Sequence, residues 1–125
     1  MARRVVIIGA SADRRKFGNK AVRAYLRSGW EVLPVNPRGG HIEDVPVLTR
    51  ATDAPRPVDR VLLYLPPETG MTVLAEIAAL APAEFIVNPG AESAALLAEA
   101  ERLGLDPLQA CGIIEVGRSP AEFGD

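Results

Sequence analysis

Four clusters in this sequence carry residue types suited to lining a ligand site, and the first two suit an anion. The first is Gly9-Ala10-Ser11-Ala12, followed by Asp13-Arg14-Arg15-Lys16-Phe17-Gly18-Asn19. Small residues let backbone N–H groups approach a phosphate closely. Ser11 adds a hydroxyl, and Arg14, Arg15 and Lys16 put positive charge beside it. A helix that starts here also aims the positive end of its dipole, about half a charge, at the same place. The second cluster is Val35-Asn36-Pro37-Arg38-Gly39-Gly40, in which Arg38 offers a charge-assisted donor. The third, Leu65-Pro66-Pro67-Glu68, is rigid backbone lacking an N–H at two positions, a surface that can lie flat against a ring or a chain. The fourth, Asn88-Pro89-Gly90-Ala91-Glu92, is compact, polar and tightly turned, fit to shape a crevice floor. Taken singly, each cluster is also an ordinary turn or a solvated loop; their positions in the chain decide between the two.

The first cluster is not a dinucleotide fingerprint. Counting from Gly9, the third position is Ser11 and the sixth Arg14, so G-x-G-x-x-G fails. An NAD site also wants a carboxylate at the second strand tip for the ribose hydroxyls, and Arg38 stands there instead. An arginine at that point suits a phosphate near the ribose: the 3′-phosphorylated ADP of coenzyme A or the 2′-phosphorylated one of NADP. No catalytic residue is expected, since the sequence holds no G-x-S-x-G, no Walker loop, no H-E-x-x-H and no carboxylate pair at a strand tip. His41, the one histidine, reads as a solvated loop residue, though its closeness to Arg38 would bring it to the same phosphate. Cys111, the one cysteine, reads as a small core residue more simply than as a thiol beside a ligand. One Cys and one His exclude an internal disulfide framework and a Cys/His zinc cluster, and no metal is expected.

The elements that must position these clusters are short apolar runs alternating with helical patterns. The runs Val5–Ile8, Trp30–Val35, Val61–Leu65, Glu84–Val87 and Pro107–Cys111 predict strands, and the clusters above sit at the ends of the first four. Continuous rather than alternating apolar character suits strands buried on both faces of a parallel sheet. Helices are predicted over Asn19–Ser28, Thr69–Leu80 and Ala91–Leu103, with a minor edge strand over Val45–Leu48. The pattern predicts a three-layer α/β fold of Rossmann type. Its mostly parallel five-stranded sheet should run 3-2-1-4-5 with helices on both faces; the alternative order is 2-1-3-4-5. In either order a ligand crevice lies beyond the C-terminal strand ends.

The 125 residues are one domain's worth, 1–125, and 48% hydrophobic with 24% charged is globular composition. A net charge of −2 and 5% aromatic residues disfavour nucleic acid and anionic membrane as partners. No apolar run reaches the length of a signal-peptide core or a membrane span, so a cytoplasmic setting is the expectation.

The set Gly9-Ala10-Ser11, Phe17-Gly18-Asn19-Lys20, Pro34-Val35-Asn36-Pro37-Arg38, Pro66-Pro67 and Asn88-Pro89-Gly90-Ala91-Glu92, in that order, resembles the small stand-alone CoA-binding proteins. Those are similar to the CoA-binding domain of the succinyl-CoA synthetase alpha subunit. The resemblance runs from about Val5 to Glu115, with departures at Asn88 and Ala110. It implies coenzyme A, free or acylated, as a small-molecule ligand held by a binding, carrier or sensor module. Gly9 and Ser11 would touch the diphosphate, within a loop that includes Ala10, Arg14, Lys16, Gly18 and Asn19. Arg38, with Asn36 and Pro37, would meet the 3′-phosphate. Leu65, Pro66 and Pro67 would flank the adenine, and Asn88, Pro89 and Gly90 would lie toward the pantetheine arm. The synthetase's second domain, with its phosphorylated histidine, is absent from this sequence, so its ligase activity is not implied. Two other readings stay open: an NADP-dependent oxidoreductase, and a protein-interaction domain that has lost its ligand.

Overall fold

The computed structural model describes residues 2–124. Its strands are β1 (Arg4–Ile8), β2 (Glu31–Val35), β3 (His41–Ile42), β4 (Val45–Pro46), β5 (Arg60–Leu63), β6 (Glu84–Val87) and β7 (Pro107–Gln109). Its helices are α1 (Phe17–Arg27), α2 (Pro67–Met71), α3 (Leu74–Leu80), α4 (Ala94–Arg102) and α5 (Gly112–Glu115), with 3-10 turns at Ala51–Asp53 and Pro120–Phe123. Five strands form one parallel sheet, and the β3–β4 hairpin stands apart from it.

The central strands β1, β5 and β6 are apolar after their first residue because both faces are covered. Val6, Ile8, Val61, Leu63, Phe85 and Val87 pack on the side of α3 and α4. Val5, Ile7, Leu62 and Ile86 pack on the opposite side with Ala21, Val22 and Tyr25 of α1 and Ile113 of α5. Alternate side chains enter alternate layers, so the alternation that marks a half-exposed strand is lost.

The strand order corrects one expectation. The sheet runs β2-β1-β5-β6-β7, which is 2-1-3-4-5 rather than 3-2-1-4-5. After β2 the chain does not build a full third strand at that edge. The turn over Pro37-Arg38-Gly39-Gly40 leads into the β3–β4 hairpin, and only Leu48 reaches the sheet, as a one-residue parallel bridge to Val35. Leu48 N donates to Pro34 O at 2.9 Å, and Asn36 N donates to Leu48 O at 2.9 Å. The predicted strand over Val45–Leu48 thus divides into half a hairpin and a single bridge. With that bridge counted as an edge strand, the order becomes the Rossmann 3-2-1-4-5-6.

The helix predicted over Thr69–Leu80 is two helices. Pro67 starts α2 at its first turn, where a missing N–H costs nothing. The Thr72 hydroxyl then donates to Thr69 O at 2.6 Å, a local bond that competes with continuing the helix, and α3 begins at Leu74. The last predicted helix is held to Ala94–Arg102 by Ser93, whose Oγ accepts from Leu96 N at 3.0 Å.

Candidate functional site

The tips after Ile8 and Val35 lie side by side, since Ile8 pairs with Val35 in register. Asn36 ties them together: its Nδ2 donates to Ala10 O at 2.9 Å, and its Oδ1 accepts from Arg38 N at 2.9 Å. After β2 the chain crosses β1 to reach β5 on its other side, so the strand order reverses beside β1. A cleft of about 920 Å³ opens over these tips, where an open α/β sheet usually places its ligand.

Two glycines let the backbone meet there. Gly9 has φ +87°, and a Cβ on it would stand 2.9 Å from the carbonyl of Tyr64. Gly18, in the first turn of α1, packs against the backbone of Gly9 and Ala10 so closely that a Cβ has no room. This brings the N-terminus of α1 against the loop. No acidic residue occupies its first turn, so the positive end of the helix dipole is left uncompensated toward the cleft.

Charge on the rim is paired selectively. Asp13 lines the cleft, but its carboxylate takes Arg15 Nε at 3.1 Å and Arg15 Nη2 at 3.0 Å. The Arg15 side chain and backbone N–H bonds hold the Asp13 pKa down at about 2. Arg14 turns away and pairs with Glu43 at 2.6 Å. Burial of Glu43 pushes its pKa up, but the Asn19 amide and Arg14 outweigh that and hold the carboxyl below its usual range. Lys16 and Arg38 both line the cleft, and among the described residues neither has an ion-pair partner.

Of the sequence-predicted residues, Gly9, Ala10, Ser11, Lys16, Gly18, Asn36, Arg38, Leu65, Pro66, Pro89 and Gly90 come together on the cleft wall. Arg14, Asn19, Pro37, Pro67 and Asn88 do not. Asn19 is fully buried, and its amide is used internally: Nδ2 donates to Ser11 O (2.9 Å) and Glu43 (3.2 Å), and Oδ1 accepts from Arg23 (2.8 Å). Asn88 is buried beneath the fourth tip, donating to Leu63 O at 3.1 Å and accepting from Gly112 N at 2.7 Å. Pro67 belongs to the first turn of α2, and Pro37 shapes the turn that presents Arg38. Asn19 and Asn88 support the wall from behind, and Arg14, Pro37 and Pro67 lie outside it.

The sequence reading missed Phe17, Tyr64 and Ile42 on the wall and undervalued His41, which reaches it from β3. Phe17 was legible in part, because it is a large apolar side chain left 54% exposed at a helix start. Tyr64 had no signal: it follows the apolar run of β5 and reads as strand. Its hydroxyl is buried without a hydrogen-bond partner. Burial first, then neighbouring Cys111 and Tyr25, push its pKa well above the usual phenol value. Cys111 itself is half-buried, caps α5 and does not line the cleft. Among the described residues no group of three or more His, Cys, Asp or Glu is arranged to hold a metal ion. No helix among them is long and apolar enough to cross a membrane.

The profile of the family described as CoA binding domain matches residues 3–117. Among curated proteins, none matches. Among solved structures, the chain is similar to a conserved hypothetical protein from Pyrococcus furiosus. The identity is 31% and the TM-score 0.83, covering 90% of this chain and 98% of that one. A protein from Thermus thermophilus shares 26% identity at a TM-score of 0.82, over 91% of this chain and 87% of that one. The dinucleotide-forming acetyl-coenzyme A synthetase 1 of Ca. Korarchaeum cryptofilum shares the fold at 21% identity and a TM-score of 0.72. That match takes in 84% of this chain and 25% of the synthetase.

Proposed function

The chain belongs to the family of CoA binding domains, and on that premise we propose that it holds one coenzyme A molecule across the C-terminal strand tips, as a binding module without a catalytic step. The observation that carries this reading is the pair Lys16 and Arg38, two cations in one cleft that among the described residues have no carboxylate within ion-pair distance. A cation left unpaired beside the positive end of α1 serves a partner that arrives from outside, and that partner is polyanionic. Lys16, Ser11 and the N–H groups after Gly9 receive the diphosphate. Arg38, on the far wall, receives the 3′-phosphate. Leu65 and Pro66 give the adenine a flat apolar face, and Pro89 and Gly90 border the path of the pantetheine arm.

Calorimetry with coenzyme A, dephospho-CoA and NADPH at one fixed ionic strength tests this. Coenzyme A should bind more tightly than dephospho-CoA by about 1.5–3 kcal/mol, roughly ten- to a hundred-fold, and Arg38→Ala should erase the difference. Equal binding of the two by the wild type overturns the role of Arg38. Tighter binding of NADPH favours an oxidoreductase, and no nucleotide binding at all favours a protein-interaction domain.

A further inference from the structure

The cleft has two walls that belong to different stretches of chain. One is the loop after β1, with Ser11, Ala12 and Lys16; the other is the turn after β2 and the start of the hairpin, with Arg38, His41 and Ile42. At their root the walls are tied by Asn36, whose amide donates to Ala10 O. At the far end they are tied by one side chain, Glu43, which reaches from the hairpin tip to Arg14 at 2.6 Å and to Asn19 at 3.2 Å.

Glu43 occupies a costly position. Glu43 and Asp44 have φ values of +50° and +66° at the turn of the hairpin, where Asn-Gly is the comfortable choice. The carboxylate is also 21% exposed beside a 52% exposed arginine, so the pair is more sheltered than an ordinary surface ion pair. Asn19, its second partner, is fully buried and carries Ser11 O on the same amide nitrogen. Displacement of Glu43 therefore frees the hairpin wall, while Asn19 stays fixed to Ser11 O and Arg23 and keeps the phosphate loop in place.

We propose that Glu43 is a positioning residue for ligand discrimination: without touching the ligand, it fixes the distance between the wall that holds Lys16 and the wall that holds Arg38. This rests on the coenzyme A reading above. A ligand with phosphates on both walls feels that distance, because two anchors act together only when their spacing matches. A ligand anchored on one wall does not. Dephospho-CoA keeps the diphosphate and lacks the 3′-phosphate, so it reports on the first wall alone.

The test measures coenzyme A and dephospho-CoA affinities for the wild type, Glu43→Gln and Arg14→Gln, with thermal melts to confirm folding. Positioning predicts that both variants lose about ten-fold in affinity for coenzyme A and change by less than about two-fold for dephospho-CoA. Simple electrostatics predicts opposite signs, since Glu43→Gln removes a negative charge near a polyanion and Arg14→Gln removes a positive one. Opposite signs overturn the proposal, as does unchanged discrimination in both variants, or an equal loss for the two ligands. If Glu43→Gln fails to fold, Glu43→Asp keeps the charge and shortens the reach: a loss confined to coenzyme A supports the proposal, and unchanged discrimination overturns it. A wild type that binds both ligands equally overturns the role of Arg38 in the coenzyme A reading, a result distinct from a wild type that discriminates and variants that still do.

Discussion

The two ends of the sheet use the same charged residue types in opposite ways. At the base, where β1, β2, β5 and β6 begin, Arg3, Arg4 and Arg60 each have a partner from the protein. Arg60 is 7% exposed, meets both Glu84 oxygens at 3.0–3.1 Å and donates to the Tyr25 hydroxyl at 3.2 Å. Arg3 reaches the same Glu84 at 2.9 Å, and the two guanidiniums lie 4.3 and 5.0 Å from the Trp30 ring centre. Arg4 pairs with Glu31 and donates to Pro55 O and Pro57 O. At the tips, Arg14 and Arg15 are matched with Glu43 and Asp13, while Lys16 and Arg38 are left over in the cleft. A charge whose partner lies within the chain works for the fold, and a charge without one works for whatever fills the cleft.

The largest expected effect breaks this contrast from the base. Arg60→Ala removes the centre of a mostly buried network and leaves Glu84 and the Tyr25 hydroxyl short of a donor. Glu84 is 41% exposed and regains some water, so the cost should be about 2–4 kcal/mol rather than the full penalty of a wholly buried pair. Arg38→Ala, at the other end, should leave stability within about 0.5 kcal/mol while weakening coenzyme A. Urea denaturation of both variants, alongside calorimetry, checks the crossing. Equal stability losses would mean that Arg38 belongs to the fold.

The two tyrosines sharpen the same contrast at a smaller scale. Tyr25 OH donates to Gly112 O at 2.6 Å and accepts from Arg60, whereas the Tyr64 hydroxyl has no partner. Tyr25→Phe should therefore cost about 1–3 kcal/mol, and Tyr64→Phe should be neutral or slightly stabilising. Burial raises both phenols above the unfolded value near 10, against the lowering pull of Arg60 in the case of Tyr25. A raised folded pKa means stability that is complete below about pH 10 and lost as pH climbs through the folded value. Each Phe variant should remove its share of that alkaline loss, read from melting temperatures between pH 8 and 11.

How much of this was legible follows from what each residue type discloses. Runs such as Val5–Ile8 disclose a strand buried on both faces, and with several such runs the parallel sheet and its crevice follow. They do not disclose neighbours, so the edge strand expected over Val45–Leu48 gave no sign that only Leu48 would meet the sheet while Val45 and Pro46 pair in a hairpin. Lys16 and Arg38 were legible because charge after a strand end is visible in sequence. Asn19 and Asn88 misled because an amide near a tip shows only that it needs partners, not that backbone groups already satisfy it. Glu43 was invisible: its partners lie 24 and 29 residues away, and only the second arm of its hairpin showed as a strand in the sequence.

The smallest effect concerns why only some of the loop's three cations are available. Arg15 is committed to Asp13 through the backbone N–H and the side-chain bonds, and that commitment keeps the Asp13 carboxyl near 2. A depressed folded pKa gives stability that is present above the unfolded value near 3.9 and lost as pH falls toward 2. Because Asp13 and Arg15 are at the surface, that share is minor, and it is better read from the group itself. An NMR titration of the Asp13 carboxyl should show a midpoint near 2 in the wild type and a higher one in Arg15→Ala, still below the ordinary aspartate value because the backbone N–H of residue 15 remains. If the midpoint stays near 2 without the Arg15 side chain, the carboxylate is being held by something in the cleft. Lys16 is then its nearest cation, and the separation between paired and unpaired charge at the rim would have to be redrawn.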